Sequence, residues 1–309
     1  MKNKKAVVML SGGLDSKLAL RIMQEQGFDV IALYFNLPFE TGCCNEKSSF
    51  NFLQISGIRI KIFDCSKGKL LQEYLDVIRH PKYGRGKGIN PCIDCRIFMF
   101  KKAKEFADKE KIDLIVSGEV LNERPMSQHK KAMEIIRRES GLKGRLLRPL
   151  SAKLLEPAEA EKKGIVNRNK LYSIQGRSRK KQIKLAKKFK ISYPNPAGGC
   201  LLCEKALKKR FEFLLKREMN EKEVKLVGIG RHFLIDKCWI VLGRDEKENK
   251  VIEKLKIGEK IIPKTPGPTA IILDKCRKET LEKIKKLIKA YSKGVDLKER
   301  KKFEKYLLK

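Results

Sequence analysis

Two groups of residues in this chain have the types and spacing to do chemistry. The first is Ser11-Gly12-Gly13-Leu14-Asp15-Ser16, which follows the apolar run 6–10 (AVVML) and precedes a segment of helical spacing. A strand feeding a glycine turn and then a helix builds an anion site. The glycines let backbone N–H groups approach oxygens, the helix N-terminus adds partial positive charge, and Ser11 and Ser16 add hydroxyls. The plainer reading is a tight turn with an Asp or Ser cap. Neither G-x-x-x-x-G-K-[ST] nor G-x-G-x-x-G occurs, so terminal-phosphate transfer on a P-loop and a dinucleotide fold are not indicated.

The second group is sulfur. Cys92-Ile93-Asp94-Cys95 opens a helical pattern, and Cys200-Leu201-Leu202-Cys203 follows far downstream. Thiolates are favoured at a helix N-terminus, more so with Arg96 adjacent. Three chemistries suit the two pairs: structural zinc on four sulfurs, an iron–sulfur cluster on three with one iron open, or catalytic thiols of which one carries a persulfide and another resolves it. Zinc knuckles usually lie about 15–20 residues apart, much closer than these. Cys43, Cys44, Cys65, Cys238 and Cys276 read as small hydrophobes or bystanders. Asp94 reads as a helix cap rather than as a group orienting a sulfur nucleophile. Glu119 reads equally as a metal or ribose ligand and as an exposed loop acid.

The elements that must position these groups alternate. Strand patterns at 6–10, 30–35, 58–63 and 112–116 are interleaved with helical patterns at 16–26, 52–57 and 95–110. That order predicts an α/β fold, a parallel sheet with helices on both faces. Residues 177–190 form a basic amphipathic helix with Ile183, Leu185, Ala186 and Phe189 on one face. Residues 193–199 cannot be helical and form a loop. After about 208 the pattern shifts to short strands at 233–235, 238–242, 261–262 and 270–273, then a basic, mostly helical tail at 280–309. We expect two domains: 1–208 carrying the loop and cysteines, and 209–309, a smaller basic α+β domain that binds RNA.

Composition sets limits on function. The 309 residues include 72 Lys+Arg against 37 Asp+Glu, a net charge of +35, so an anionic partner is expected, nucleic acid first. Apolar residues at 41% exclude a wholly disordered chain. No apolar run reaches the roughly 18–20 residues that span a bilayer, and residues 6–10 are too short for a secretory core of about 7–15. Nine cysteines in a chain of this length are not a disulfide scaffold. A cytoplasmic protein without membrane contact is expected.

The hexapeptide at the end of the first strand resembles the PP-loop of the ATP pyrophosphatase superfamily, which holds pyrophosphate as ATP is split between its α and β phosphates. The resemblance implies that Ser11, Gly12, Gly13, Asp15 and Ser16 bind the nucleotide. Leu33 and Tyr34 would lie against adenine, Gly118 beside them, and Mg²⁺ would bridge phosphate oxygens. Asn90-Pro91 preceding Cys95, with Gly198-Gly199-Cys200 later, is similar to the tRNA thiouridine synthetases. In the 2-thiouridylases the two cysteines fall where Cys95 and Cys200 stand, which makes Cys95, Cys200 and Asp15 the implied catalytic set. Ser117-Gly118-Glu119-Val120-Leu121-Asn122, Ser127-Gln128 and Leu147-Arg148-Pro149-Leu150 look more like the 4-thiouridine synthetases. Some of those carry C-x-x-C and one later cysteine on a [4Fe-4S] cluster, a pattern that makes Cys92, Cys95 and Cys200 the metal ligands, with Zn²⁺ as the alternative and Cys203 as an extra.

The resemblance covers 1–203. No rhodanese-like domain or N-terminal tRNA-binding extension is found, and the C-terminal domain is a candidate replacement. What the resemblance implies is ATP-dependent thiolation of tRNA: a uridine carbonyl oxygen is adenylated, pyrophosphate leaves, and sulfur displaces AMP. The partners would be tRNA and a sulfur donor (sulfide or a persulfide-carrying protein), with a homodimer left open. The basic face of 177–190, with the C-terminal domain, would hold the RNA backbone. The rivals are a non-catalytic RNA-binding protein with a four-cysteine zinc site and an ATP pyrophosphatase-type ligase for a small molecule; the charge counts against the ligase.

Overall fold

The computed structural model describes residues 4–40, 57–193, 199–295 and 297–308. The helix expected at 52–57 lies outside these residues save for Gly57, as do Cys43, Cys44 and residues 194–198 of the expected loop. The described chain divides into two compact units, Met1–Cys203 and Glu204–Lys309.

In the first unit, β1 (Lys5–Leu10) is a continuous apolar run because both its faces are covered, and every residue after Lys5 is buried. With β2 (Asp29–Asn36), β3 (Arg59–Asp64), β4 (Ile115–Ser117) and β5 (Leu146–Leu147) it forms a parallel sheet ordered β3-β2-β1-β4-β5. On one face α1 (Leu14–Gln24) sets Leu18, Leu20 and Met23 against Ala6, Val8, Val30 and Ala32. Each fully buried apolar side chain of that size contributes roughly 1.5–3 kcal/mol. Gly27 ends the helix with φ +77°, a left-handed conformation that costs glycine least. On the other face lie α2 (Gly68–Arg79) and α3 (Cys92–Lys109), with α3 packed on α2, β1 and β4. Helices α4 (Lys130–Glu139) and α5 (Lys180–Lys188) complete the layers.

The fourth strand begins three residues later than its expected start at 112. Lys111 has φ +56°, and the chain becomes extended only after that turn. In α5 the buried face also differs from the expected one. Gln182 and Ala186 are buried, Leu185 and Phe189 pack partly against the α1 core, and Ile183 is exposed.

The second unit is α+β. An antiparallel sheet ordered β6-β7-β9-β8 comprises β6 (Arg231–Ile235), β7 (Cys238–Leu242), β8 (Glu259–Ile261) and β9 (Ala270–Ile272). Asp236 and Lys237 join β6 to β7 with φ of +48° and +68°, the two left-handed residues of a tight hairpin. Helices α6 (Lys208–Leu215), α7 (Glu246–Lys254) and α8 (Lys278–Ala290) pack around the sheet, α8 seating Ile284, Leu287 and Ile288 on Phe233, Ile235 and Ile240. His232 is fully buried. Its Nε2–H donates to the Leu226 and Ile229 carbonyls at 3.0 and 2.9 Å, and Nδ1 accepts from Trp239 Nε1–H at 3.2 Å. Burial holds the ring neutral, lowering its pKa to about 3. Cys238 and Cys276 correct the bystander reading: they form a disulfide, their Cα atoms 6.0 Å apart. The sequence does not show that the start of β7 and the end of β9 lie side by side.

Candidate active site

The phosphate loop is local. It leaves β1 at Ser11, turns through Gly12 at φ +77°, and enters α1 at Gly13. Ser16 Oγ donates to the Gly13 carbonyl at 2.9 Å, while Ser11 donates to Ser16 Oγ through its backbone N–H at 3.2 Å and its hydroxyl at 3.3 Å. The turn is thus fixed, with its N–H groups at a helix N-terminus, where anions are favoured. Gly118, after β4, lies against this turn. A Cβ there would fall 2.6 Å from Asp15 C and O and from Ser16 N, all backbone atoms.

Asp15 faces a buried polar cluster. Among the described residues its buried Oδ1 has no hydrogen-bond partner, nor do Glu123 Oε2 and both amide atoms of Gln182. Glu123 Oε1 is held by Arg179 at 2.9 Å. Burial first, then the charge of Glu123, pushes the Asp15 carboxyl up to about 7, with Arg179 and Arg124 pulling the other way. Orphaned carboxylate oxygens beside a phosphate loop suit Mg²⁺, which takes one or two carboxylates and completes its shell with substrate phosphates. Gln182 was missed from sequence. It sits on the basic helix, and nothing in its spacing singles it out from its neighbours.

The sulfurs meet through the backbone. Leu201 N–H donates to the Phe39 carbonyl at 2.8 Å, Ile89 N–H donates to the Leu202 carbonyl at 2.9 Å, and Glu40 and Cys200 form a β-bridge. These contacts lay the second C-x-x-C on the first turn of α3. A cavity of about 240 Å³ is lined by Ser11 together with Cys92, Cys95, Cys200 and Cys203. Cys92 Sγ accepts from Asn90 Nδ2 at 3.1 Å, and Cys95 Sγ lies 3.6 Å from the Tyr74 hydroxyl. The expected helix-dipole effect on the thiols is outweighed. The Cys92 thiol is held well above its ordinary range by its hydrogen bond with Cys203 and by burial, and burial pushes Cys95 up to about 11. Cys203, expected to be an extra, lines the same cavity, and its thiol is raised by Cys200 beside it. The donors are the soft ligands that zinc and iron–sulfur centres take. Among the described residues no three Cys, His, Asp or Glu converge closely enough to hold one metal ion.

Leu33 and Phe35 also line the cavity, whereas Tyr34, between them in the strand alternation, points to the opposite layer. Asp94 does not cap α3. Pro91 holds the cap position, and the Asp94 carboxylate accepts from the Lys82 and Tyr83 N–H groups at 2.9 and 3.1 Å. Glu119 is not an exposed acid, and among the described residues its buried Oε1 makes no hydrogen bond. It is buried and ion-paired with buried Arg148, Nε–Oε2 2.9 Å, with Arg96 at 3.7 Å. Glu40, missed from sequence, lines the same cavity, and burial raises its carboxyl to about 7.

A parallel sheet with a glycine phosphate turn at the end of its first strand defines a class: the PP-loop nucleotide-binding proteins. Within that class the chain belongs to the ThiI family. The family model for thiamine biosynthesis protein (ThiI) matches residues 1–170, and a model for the NFACT protein RNA binding domain matches residues 230–303. The chain is 30% identical over 135 residues to the tRNA-specific 2-thiouridylase MnmA of Petrotoga mobilis (39% of this chain, 36% of that protein). It is 31% identical over 124 residues to the MnmA of a Nitratiruptor species (38% and 34%). It therefore spans about a third of the length of these curated relatives. Among solved structures, a 4-thiouridine synthetase–RNA complex with bound ATP aligns over 61% of this chain and 52% of that one, at 20% identity and a TM-score of 0.39. No helix among the described residues is long and apolar enough to cross a membrane.

Proposed function

We propose that the protein is an ATP-dependent tRNA thiouridine synthetase. The observation that carries this reading is that Ser11 of the phosphate loop and all four C-x-x-C sulfurs line one cavity. Residues 11–16 hold the nucleotide phosphates, and Asp15 and Glu123 are the residues that would hold Mg²⁺, which when bound would offset phosphate charge. Leu33 and Phe35 offer the base an apolar wall. A uridine turned out of its stack, at a cost of a few kcal/mol, brings its carbonyl oxygen to the α-phosphorus. The O–P bond forms as the bond to pyrophosphate breaks, and the oxygen becomes part of a good leaving group. Sulfur then adds at the activated carbon and AMP departs. Cys92, Cys95 and Cys200 are the residues that would hold a [4Fe-4S] cluster, which when bound supplies an open iron for sulfide. Tyr74 and Phe35 line the cavity, with the Tyr74 hydroxyl 3.6 Å from Cys95 Sγ.

The second unit binds the RNA in this reading, supported by its likeness to the NFACT RNA binding domain and by the chain's charge of +35. Its grip weakens steeply with salt. The sulfur comes from sulfide or a persulfide-carrying protein. Asp15→Ala should abolish tRNA-dependent release of pyrophosphate and AMP, and tRNA from cells lacking the protein should lose a thiouridine by nucleoside mass spectrometry. Undiminished release in the variant, together with an unchanged thiouridine content, refutes the proposal.

A further inference from the structure

The loop after β4 carries a cation whose position the chemistry above leaves unused. Its backbone is tightly fixed. Arg124 N–H donates to Gln128 Oε1 at 3.0 Å, Gln128 N–H returns to the Arg124 carbonyl at 3.0 Å, and Asn122 N–H donates to the Gln128 carbonyl at 2.7 Å. Leu121 anchors the base of the loop, donating to Ser151 Oγ at 2.9 Å and accepting from Gly176 at 2.7 Å. From this frame the exposed Arg124 side chain lines the cavity that holds Ser11 and the four sulfurs. Its charge reaches Asp15 at the phosphate end and Glu40 at the sulfur end.

Among the described residues the Arg124 guanidinium makes no ion pair or side-chain hydrogen bond. Arg96, the other guanidinium on this cavity, is drawn to within 3.7 Å of Glu119, the carboxylate that Arg148 also engages. An unpaired guanidinium held at a cavity mouth by a stiff backbone is pre-organised for an anion, and its planar fork matches phosphate oxygens. The loop N–H groups of 11–16 serve the departing pyrophosphate. The α-phosphoryl group, lying between them and the sulfurs, needs a cation of its own, because charge builds there twice: when pyrophosphate leaves and when AMP leaves.

We infer that Arg124 is a catalytic residue that binds the α-phosphoryl oxygens of ATP, through formation of the adenylated uridine and its displacement as AMP. The inference rests on the synthetase reading and adds the group that handles its reacting phosphorus.

Arg124→Gln and Arg124→Lys, each shown by thermal melting to fold like wild type, test it. Arg124→Gln should lower the rate of tRNA-dependent AMP formation by about 10²–10³-fold, as losing one pre-organised donor does. It should also weaken AMP binding to the tRNA-free protein by roughly tenfold. The wild-type preference between the two diastereomers of ATPαS should disappear in Arg124→Gln and be partly kept in Arg124→Lys, a change that a merely structural role would not produce. The inference falls if the rate stays within about threefold of wild type, or if saturating tRNA restores it while the salt slope of tRNA binding drops by about one; the second result places Arg124 on an RNA phosphate. A wild-type protein that forms no AMP with tRNA refutes the synthetase reading alone, since loss of AMP affinity in Arg124→Gln is read without tRNA. Unchanged AMP affinity refutes Arg124.

Discussion

Gly118→Ala tests the joint between β4 and the phosphate loop. The new methyl would stand 2.6 Å from three backbone atoms of Asp15 and Ser16, where ordinary contact begins at 3.4 Å, so something must move by about 0.8 Å. The three atoms it meets first are backbone, and the turn is pinned by the Ser16–Gly13 and Ser11–Ser16 hydrogen bonds. Forcing a methyl into such a site costs about 1–3 kcal/mol. At a midpoint cost of about 2 kcal/mol, a unit of this size should melt roughly 4–8 °C lower. A displacement near 1 Å at a reacting geometry costs about 10²-fold in rate, so tRNA-dependent pyrophosphate release should fall by about that much. Gly164→Ala is the control for destabilisation alone: at φ +66° with nothing described within 4 Å, it adds backbone strain away from the loop and no collision. Its midpoint should drop, and its ATP affinity should not. Gly118→Ala with release within about threefold of wild type and an unchanged midpoint would refute the packing account.

Three further outcomes follow from buried charge. The Asp15 carboxyl keeps its proton up to about 7 in the fold, against 3.8 for an ordinary aspartate, so its contribution to stability is full below about pH 4 and is lost as pH rises through 7. Asp15→Asn should therefore match wild type near pH 4 and melt higher than it at pH 8, measured in Mg²⁺-free buffer; equal midpoints at pH 8 would contradict the burial. Glu119→Gln strands the Arg148 guanidinium in the core and should cost about 3–5 kcal/mol by urea unfolding, with Arg148→Met in the same chain recovering much of the loss. His232, its pKa lowered from 6.5 to about 3, contributes stability that is present above pH 6.5 and lost as pH falls toward 3. Fluorescence of Trp239, the single tryptophan, should report that loss, and His232→Ala should lower the urea midpoint at pH 7.

Sequence alone determined what is encoded within a few consecutive residues. The strand 6–10, the turn at Gly12 and Gly13 and the helix behind it form one continuous segment, so apolar run, glycine and helical spacing were enough to read them. The alternation of strands and helices was legible because each element needs only its own period to be seen. Tertiary structure decided everything that joins distant segments. The backbone pairings of 39–40 and 89 with 200–202 bring the second cysteine pair onto α3 and make Cys203 a neighbour of Cys92. Burial, which no short window of sequence reports, reversed the expected lowering of the thiol pKa values, turned Glu119 into the partner of Arg148, and set Gln182 beside Asp15. Local patterning fixes the elements because backbone hydrogen bonds and side-chain period are short-ranged. Solvent exclusion belongs to the packed whole, and it sets which acids, thiols and cations face the cavity and in what protonation state.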